Sequence, residues 1–350
     1  MAAQLAQLMQ AWPKTEVHLI NASYTNDRSQ LGFFSLRKVF LWLSFLSRVL
    51  WLCVTKRIDA ILMTHSFFPG PFVKDSAFLW LGKLLGKKII VWVHMDPNRL
   101  SILDSQNILA GYARRVIQLP DLWVACAPSL LKQWPDAFNR SKLTAICNGI
   151  VDPQPPSTTR MRDFLRIVYI SSMTEEKGWQ ELLSAAEVLC AEIPNIVFDF
   201  YGGVGAGESE SHLKEVFSTC AYPEQIQWHG EVWGDQKAQV MADADLFCLP
   251  SWTEAFPLAI IDAMACALPV VATRVGGIPD AIVDTENGWL CMAKDRDALL
   301  FTLRTALANH DQFTAIGQRN RQRFLNEFSS TAFGQKWQLL LDQSIPHCVS

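Results

Sequence analysis

The sequence lacks several signatures that would assign it to a class at once. Its nine cysteines stand singly, with no Cys-X-X-Cys pair and no zinc-type spacing of Cys and His. Scattered thiols inside apolar runs are typical of a reducing compartment and not of a disulfide framework. The net charge is −3, so no basic excess indicates a nucleic-acid partner. We therefore predict a cytoplasmic chain with no nucleic-acid partner and no bound metal.

An uninterrupted apolar run of the roughly 20 residues that span a bilayer is also lacking. The nearest candidate is VFLWLSFLSRVLWLCV, residues 39–54, which is 16 residues long and has Arg48 near its middle. A charge at that depth is unfavourable in a membrane. Trp42 and Trp51 fit a membrane interface, where tryptophan is enriched. The segment can be a packed helix of a soluble domain, a helix that touches a membrane surface, or a span.

What the sequence does contain is a regular alternation of short apolar strands and amphipathic helices. The alternation runs from a strand at 16–20 to a strand at 143–147 and restarts with a strand at 166–171. Between the two runs lies VDPQPPSTTR, residues 151–160, which is rich in Pro, Ser and Thr and reads as a linker. The pattern predicts an α/β protein with two Rossmann-like domains, each with a parallel sheet, facing a cleft.

The length and composition are sufficient for two domains, because the chain has 350 residues and half of them are apolar. We place the first domain at residues 1–153 and the second at 154–328. Residues 329–350 read as a C-terminal helix, for which a return to the first domain is one option.

Residues that follow strands are the candidates for function, because open α/β sheets bind ligands beyond the carboxyl ends of their strands. Five consecutive strand ends of the second domain carry glycines, charges or both. They hold Lys177; Gly202, Gly203, Gly205 and Gly207; His229 and Gly230; Glu254; and Arg274, Gly276 and Gly277. Glycines let backbone N–H groups approach a phosphate, and a lysine supplies a point charge. Tight turns need glycine as well, so the glycine run alone favours a structural role.

Two acids accompany the most apolar helix of the sequence, in TEAFPLAIIDAMACALPVVATRVGGIP, residues 253–279. Asp262 lies one turn inside a helix that begins at Pro257, and Glu254 lies in the turn before it. A buried carboxylate is unfavourable unless it is paired or hydrogen-bonded. Either both acids accept hydrogen bonds from the hydroxyls of a polyol ligand, or Asp262 bonds to a neighbouring turn and Glu254 is solvated.

These stretches resemble the donor domain of the retaining glycosyltransferases of the GT-B fold known as glycosyltransferase family 4, or glycosyl transferases group 1. The resemblance covers roughly residues 14–330 and is densest in residues 244–290, 167–186, 198–207 and 228–232. It implies a GT-B fold and a hexosyltransferase. Such an enzyme transfers a sugar from a nucleotide diphosphate sugar, with retention of configuration, in polysaccharide or lipid-linked glycan synthesis.

The resemblance also assigns roles to single residues. Glu254 would face the hydroxyls of the donor sugar, and Asp262 would bind the ribose hydroxyls, where the family usually has glutamate. Lys177 matches a diphosphate-binding lysine, whereas Ser172 stands where the family often has an arginine. His94 matches a histidine that faces the acceptor, and we expect it to be catalytic together with Glu254. Further donor-site positions are Gly203, Gly230, Val232, Ala255, Phe256 and Leu258.

The family resemblance implies no cofactor and no metal besides the nucleotide-sugar donor. The acceptor, a saccharide or a lipid-linked molecule, cannot be read from the sequence. The apolar segment at 39–54 favours a membrane-proximal acceptor and a peripheral membrane contact. The expected location is the cytoplasm, with the inner face of the cytoplasmic membrane as an option.

The start of the sequence departs from the family, which has a strand and a glycine-containing loop before the helix found near Met1. We expect either that the product starts upstream or that the first domain lacks its first strand. This departure, together with Ser172, favours an alternative function as a truncated, non-catalytic GT-B-like binding or partner subunit. A nucleotide-sugar epimerase of the same fold is a further alternative.

Overall fold

The computed structural model describes residues 1–13, 15–20, 36–95, 100–103, 107–154 and 163–345. The chain divides into two compact units: the first unit comprises residues 1–146 and 334–350, and the second unit comprises residues 147–333. These bounds lie a few residues from the predicted domain limits. Most of the predicted linker, residues 155–160, lies outside the described residues.

The first unit contains a parallel sheet with the strand order β1-β2-β3-β4. The strands are β1 (Ala60–Thr64), β2 (Lys88–Val93), β3 (Leu122–Ala125) and β4 (Leu143–Ala145). The accompanying helices are α1 (Ala2–Gln10), α2 (Leu36–Thr55), α3 (Pro69–Leu84), α4 (Ile108–Val116) and α5 (Pro128–Leu131). Strand β2 is buried from Ile89 to Val93, as expected for a central strand covered on both faces.

The strand predicted at 16–20 is wrong, because residues 15–20 are described without a strand. Leu19, which an inward-facing position would have buried, is 50% exposed. An alternating pattern becomes a strand only where a neighbouring strand pairs with it. Among the described residues, no strand pairs with this segment.

The apolar run of 16 residues at 39–54 lies within helix α2, which has 20 residues (Leu36–Thr55). Helix α2 is the one described helix that is long and apolar enough to cross a membrane, with a mean hydropathy of 1.5. Only Leu52 and Cys53 are buried in it. Of the three possibilities for this segment, a fully packed helix is therefore not found, and 20 residues are long enough to span a bilayer.

The second unit contains a parallel sheet with the strand order β10-β9-β8-β5-β6-β7. The strands are β5 (Leu165–Ile170), β6 (Ile196–Tyr201), β7 (Ile226–Trp228), β8 (Leu246–Leu249), β9 (Val270–Thr273) and β10 (Gly288–Cys291). The helices are α6 (Trp179–Glu192), α7 (Glu210–Thr219), α8 (Gly234–Ala242), α9 (Leu258–Ala265), α10 (Ile278–Ala281), α11 (Arg296–Ala308), α12 (Phe313–Arg323) and α13 (Ser330–Ser344). All residues of β8, β9 and β10 are buried, so these strands read as continuous apolar runs.

The last helix, α13, begins in the second unit and ends in the first. From Gly334 onward its residues group with the first unit. There the ring of Trp337 lies 5.1 Å from the ring of Trp92 on β2, in an edge-to-face arrangement. Both rings are fully buried, so this pair contributes to the core of the first unit.

Candidate functional site

The loops that follow β5 and β8 meet at one edge of the sheet in the second unit. In its strand order, β5 lies between β6 and β8, so the order of the strands reverses beside β5. Open α/β sheets bind ligands at such a reversal, outside the carboxyl ends of the strands. These two loops therefore define the candidate site.

The loop after β5 brings Lys177 to this edge. The loop ends in one turn of 3-10 helix, and Gly178 follows with a φ of 69°. A Cβ atom at Gly178 would lie 2.1 Å from the carbonyl oxygen of Pro250, so only glycine permits this approach. The backbone N–H of Trp252 also donates to the carbonyl of Glu176 at 2.8 Å. Lys177 is thus held against the loop that follows β8.

Glu254 lies in that loop, and its carboxylate is the centre of the site. Lys177 Nζ donates to Glu254 Oε1 at 2.5 Å, and Ser251 Oγ donates to the same oxygen at 2.9 Å. The Glu254 side chain is only 10% exposed. A carboxylate in such a place is unfavourable without a partner, and Lys177 supplies the opposite charge.

The turn after β9 supports the backbone of Glu254. Gly276 has a φ of 52°, and a Cβ atom there would lie 1.6 Å from the carbonyl oxygen of Glu254. The N–H of Gly277 donates to the carbonyl of Ala255 at 2.9 Å. Close packing of the two loops therefore explains the first glycine of the pair, Gly276.

The second acid, Asp262, lies on α9 and pairs with a lysine of α8. Lys237 Nζ donates to Asp262 Oδ2. The Asp262 side chain is 15% exposed. Burial raises the pKa of Asp262, and the charge and hydrogen bond of Lys237 oppose that rise. The arrangement repeats the one at Glu254, with a mostly buried carboxylate and a lysine from another element.

A pocket of about 330 Å³ opens beside this second pair. Asp262, Lys237, Trp233 and Asp152 contribute to its walls. Arg321 holds Asp152 by donating to both carboxylate oxygens at 2.7 and 2.6 Å, and these hydrogen bonds lower the pKa of Asp152. The pocket therefore contains an aromatic ring and a carboxylate, which are groups that suit the base and the ribose of a nucleoside.

The loops after β5, β6 and β7 are hydrogen-bonded to one another. The N–H of Met173 donates to the carbonyl of Gly203 at 2.9 Å. The N–H of Gly202 donates to the carbonyl of Gly230 at 2.7 Å. A Cβ atom at Gly203 would lie 1.9 Å from the carboxylate of Glu231. Glu231 therefore occupies the space that a side chain at Gly203 would take. Its carboxylate would repel a phosphate, which favours a structural role for this glycine.

The predicted donor-site residues Ala255, Phe256 and Leu258 lead into the start of α9. Leu258 is the first residue of α9, whose first-turn N–H groups have no partners within the helix. Phe256 is buried, and its carbonyl accepts the side-chain amide of Asn148 at 3.4 Å. Val232 is buried in the turn that precedes α8.

Two further predicted residues, Ser172 in the second unit and His94 in the first, have contacts of their own. Ser172 accepts the hydroxyl of Tyr169 at 3.1 Å through its backbone carbonyl. Burial raises the pKa of Tyr169, so this hydroxyl stays a donor. His94 follows β2 in the first unit, with its ring centroid 4.0 Å from that of Trp92. Within the described residues of the second unit, the structure therefore brings Lys177 together with Glu254 but gives neither of them a hydrogen bond to Ser172.

Sequence reasoning missed three polar residues of the site: Lys237, Ser251 and Asn148. Lys237 is an ordinary lysine of a polar helix, and only the packing of α8 beside α9 reveals its partner. Ser251 is the last residue of the strand predicted at 246–251, and this place at a strand end was an available signal. Asn148 precedes Gly149 in a dipeptide typical of a turn, yet the residue is buried. In the described part of the chain, no group of three His, Cys, Asp or Glu residues is placed to hold a metal ion.

Known proteins resemble this chain in sequence. Residues 154–323 match the model of the family described as glycosyl transferases group 1. The gpi3 subunit of phosphatidylinositol N-acetylglucosaminyltransferase from Schizosaccharomyces pombe is 30% identical over 147 residues, 41% of this chain and 32% of that protein. The amylovoran biosynthesis glycosyltransferase AmsK of Erwinia amylovora is 31% identical over 258 residues, 68% of this chain and 59% of that protein. The chain thus spans less than two thirds of either relative.

A solved structure resembles the fold. HepE of Anabaena, crystallised in complex with UDP, aligns with a TM-score of 0.71 and 17% identity over 86% of this chain and 82% of that chain. The predicted α/β GT-B fold with two Rossmann-like domains and parallel sheets is confirmed. Together with this fold, the family match and the relatives support a glycosyltransferase of group 1.

Proposed function

We propose that this chain transfers a hexosyl group from a nucleotide diphosphate sugar to a saccharide or lipid-linked acceptor during polysaccharide or lipid-linked glycan synthesis. Retention of the anomeric configuration is carried over from the family resemblance. The donor is a substrate, and we propose that no resident cofactor or metal takes part. The names of the similar proteins, which include a glucosaminyltransferase subunit and a polysaccharide biosynthesis enzyme, agree with this proposal.

The observation that carries the proposal is the pair of lysine-bound carboxylates beside the strand-order reversal. Lys177 and Ser251 converge on one oxygen of Glu254, and Lys237 binds Asp262. Each carboxylate is mostly buried, so each depends on its lysine. A ligand that offers both anionic and hydroxyl groups can satisfy the lysines and the acids at the same time.

A nucleotide diphosphate sugar is such a ligand. The diphosphate would attract Lys177, and the N–H groups of the first turn of α9 would add a favourable dipole. Glu254, freed from Lys177, would accept hydrogen bonds from sugar hydroxyls. When the bond to the diphosphate breaks, negative charge develops on the leaving phosphate, and a preorganised cation stabilises it there. We therefore propose Glu254 as catalytic and Lys177 as diphosphate-binding.

The nucleoside part would occupy the pocket beside Asp262. Asp262 would accept the ribose hydroxyls, and the ring of Trp233, which is 69% exposed, could stack on a base. A carboxylate that accepts neutral hydroxyls keeps its need for a cation, so Lys237 would remain bound to Asp262. Solved complexes of the similar HepE contain UDP and UDP-glucose, which are ligands of this class.

Roles for the first unit rest on the family resemblance. We propose that His94, beyond the carboxyl end of β2, acts on the acceptor side. The proposed location is the cytoplasm or the inner face of the cytoplasmic membrane. Acceptor identity and linkage are left open by these residues.

The test is a turnover assay on the full chain with a panel of nucleotide diphosphate sugars and saccharide or lipid-linked acceptors. We expect acceptor-dependent release of one nucleoside diphosphate, and a product whose anomeric proton coupling matches that of the donor. Binding without turnover for any donor would contradict the transferase and favour a binding subunit. Conversion of the donor without acceptor would favour an epimerase.

A further inference from the structure

Helix α2 presents an apolar stripe to solvent. Six large apolar side chains on it are between 42% and 80% exposed: Leu36, Phe40, Leu43, Leu50, Trp51 and Val54. Their spacing places them on one face of the helix, together with Ser47. A contiguous exposed apolar face of this kind is uncommon on a monomeric soluble protein and marks an interaction surface.

The neighbouring helix α3 extends the apolar surface. Trp42 of α2 donates its indole N–H to the carbonyl of Lys74 at 3.1 Å, so α2 lies along α3. On α3, Val73, Trp80 and Leu84 are 46%, 39% and 81% exposed and share one face. Gly82 lies on the opposite face, where it packs against side chains of β1 and β2. The exposed face of α3 therefore points away from the sheet.

The charges on these two helices and their flanks are almost all positive. Residues 36–88 contain nine Lys or Arg, two Asp and no Glu, within a chain of net charge −3. Within α2, Arg37 and Arg48 lie on one border of the apolar stripe, and no acid interrupts the helix. Long basic side chains at the border of an apolar face can reach a charged surface while their stems cover apolar groups.

We propose that the exposed faces of α2 and α3 bind the surface of a membrane that contains anionic lipids, with α2 lying in the interface and not crossing it. The combination of an apolar face, tryptophan and phenylalanine, and a basic border is the pattern of interfacial helices. The hydrogen bond from Trp42 to α3 keeps α2 along the protein. The inference rests on the first unit alone and not on the proposed transferase activity.

The experiment measures co-sedimentation of the full chain with vesicles of phosphatidylcholine, with and without phosphatidylglycerol. We expect binding to the anionic vesicles at least about tenfold stronger than to the neutral ones. The double variant F40S/W51S should lower binding to the anionic vesicles at least about tenfold, because both side chains would lose their burial in lipid. The double variant R37Q/R48Q should weaken binding to anionic vesicles only, by about tenfold.

Matched controls alter exposed residues elsewhere. F301S removes a side chain that is 71% exposed on α11, and K214Q removes a lysine that is 67% exposed on α7; neither should change vesicle binding. Circular dichroism should show that all variants fold, since only exposed positions are changed.

Three outcomes would overturn the proposal. The first is a folded chain that does not sediment with anionic vesicles. The second is equal binding by F40S/W51S. The third is a concentration-dependent dimer in light scattering that F40S/W51S abolishes, because a second copy would then cover the face. Binding of nucleoside diphosphates by the same variants reports on the second unit, so failure of the proposed function is visible separately.

Discussion

Two buried carboxylates of the second unit and one buried histidine of the first unit differ in their partners. In the second unit, Glu254 and Asp262 are mostly buried, and each accepts a hydrogen bond from a lysine. In the first unit, His65 is 6% exposed, and neither of its ring nitrogens hydrogen-bonds to a residue that the structure describes. Its ring packs among Phe67, Phe72 and Trp123, and burial lowers its pKa to about 4.

This difference in partners indicates where the chain retains buried charge. Burying a neutral imidazole without hydrogen bonds costs free energy, but far less than burying a carboxylate without a partner, so His65 can serve packing. A carboxylate with a lysine beside it is a less stable solution than an apolar core of the same volume. A protein retains such pairs where charge has a use, and the second unit retains two beside the strand-order reversal.

Glu254 should give the largest effect. We expect E254Q to reduce turnover with the true donor at least about 100-fold, because the amide cannot replace a carboxylate at the reacting sugar. The variant keeps the shape of the side chain and an acceptor for Ser251, so thermal unfolding should show a folded protein. E210Q, at an acid that is 65% exposed on α7, is the matched control and should leave the rate unchanged. Near-normal turnover of E254Q would contradict the proposed role.

The substitution of Lys177 should have the second largest effect. We expect K177Q to weaken binding of the nucleoside diphosphate about 30-fold, since hydrogen bonds to charged groups contribute about 1.5–3 kcal/mol. Isothermal titration calorimetry measures the affinity directly. K214Q is the control, because that lysine is exposed and paired with Glu210 in the same unit. Unchanged affinity in K177Q would show that this lysine only neutralises Glu254.

His65 should lower the stability of the protein at acid pH. The lowered pKa means that the folded state binds fewer protons than the unfolded state between about pH 6.5 and 4, so stability falls as the pH falls through this window. From pH 7 to pH 5 the loss attributable to His65 should be about 2 kcal/mol. H65L should remove this loss, as measured by urea unfolding at both pH values. H212L, at a histidine that is 52% exposed, should behave like the wild type, and an equally steep loss in H65L would contradict the assignment.

The substitution of Lys237 should give the smallest effect. Its effect on stability should shrink as the pH falls, whereas the loss caused by His65 grows. The removal of Lys237 in K237M leaves the Asp262 carboxylate without its cation and raises the pKa of Asp262 further. An acid with a raised pKa in the folded state is stabilising at low pH and loses that contribution as the pH rises through the raised value. The deficit of K237M against the wild type should therefore shrink by about 1 kcal/mol from pH 7 to pH 5. K214M, which breaks an exposed pair, should show no such trend; a constant deficit in K237M would contradict the coupling.

The fold of the second unit was largely predictable from the sequence. Its strands are buried on both faces and read as short apolar runs between amphipathic helices, a pattern that needs no tertiary information. The segment at 16–20 has alternation as well, but a strand depends on a partner that the local sequence does not specify.

The candidate site was predictable only in part. Glu254 and Asp262 were visible because an acid inside an apolar run is conspicuous, and Lys177 because it follows a strand. Their partners were not visible, since the contact between Lys237 and Asp262 depends on the packing of α8 beside α9. The close approach of Gly203 to Glu231 and of Gly276 to the Glu254 carbonyl was not visible either, because no local pattern reveals it.

The most direct test of the central claim is a crystal structure of the full chain soaked with a nucleoside diphosphate that binds in calorimetry. We expect phosphate oxygens within about 3 Å of Lys177 Nζ and ribose hydroxyls within hydrogen-bond distance of the Asp262 carboxylate. Density for the ligand away from both residues, or none at a saturating concentration, would contradict it.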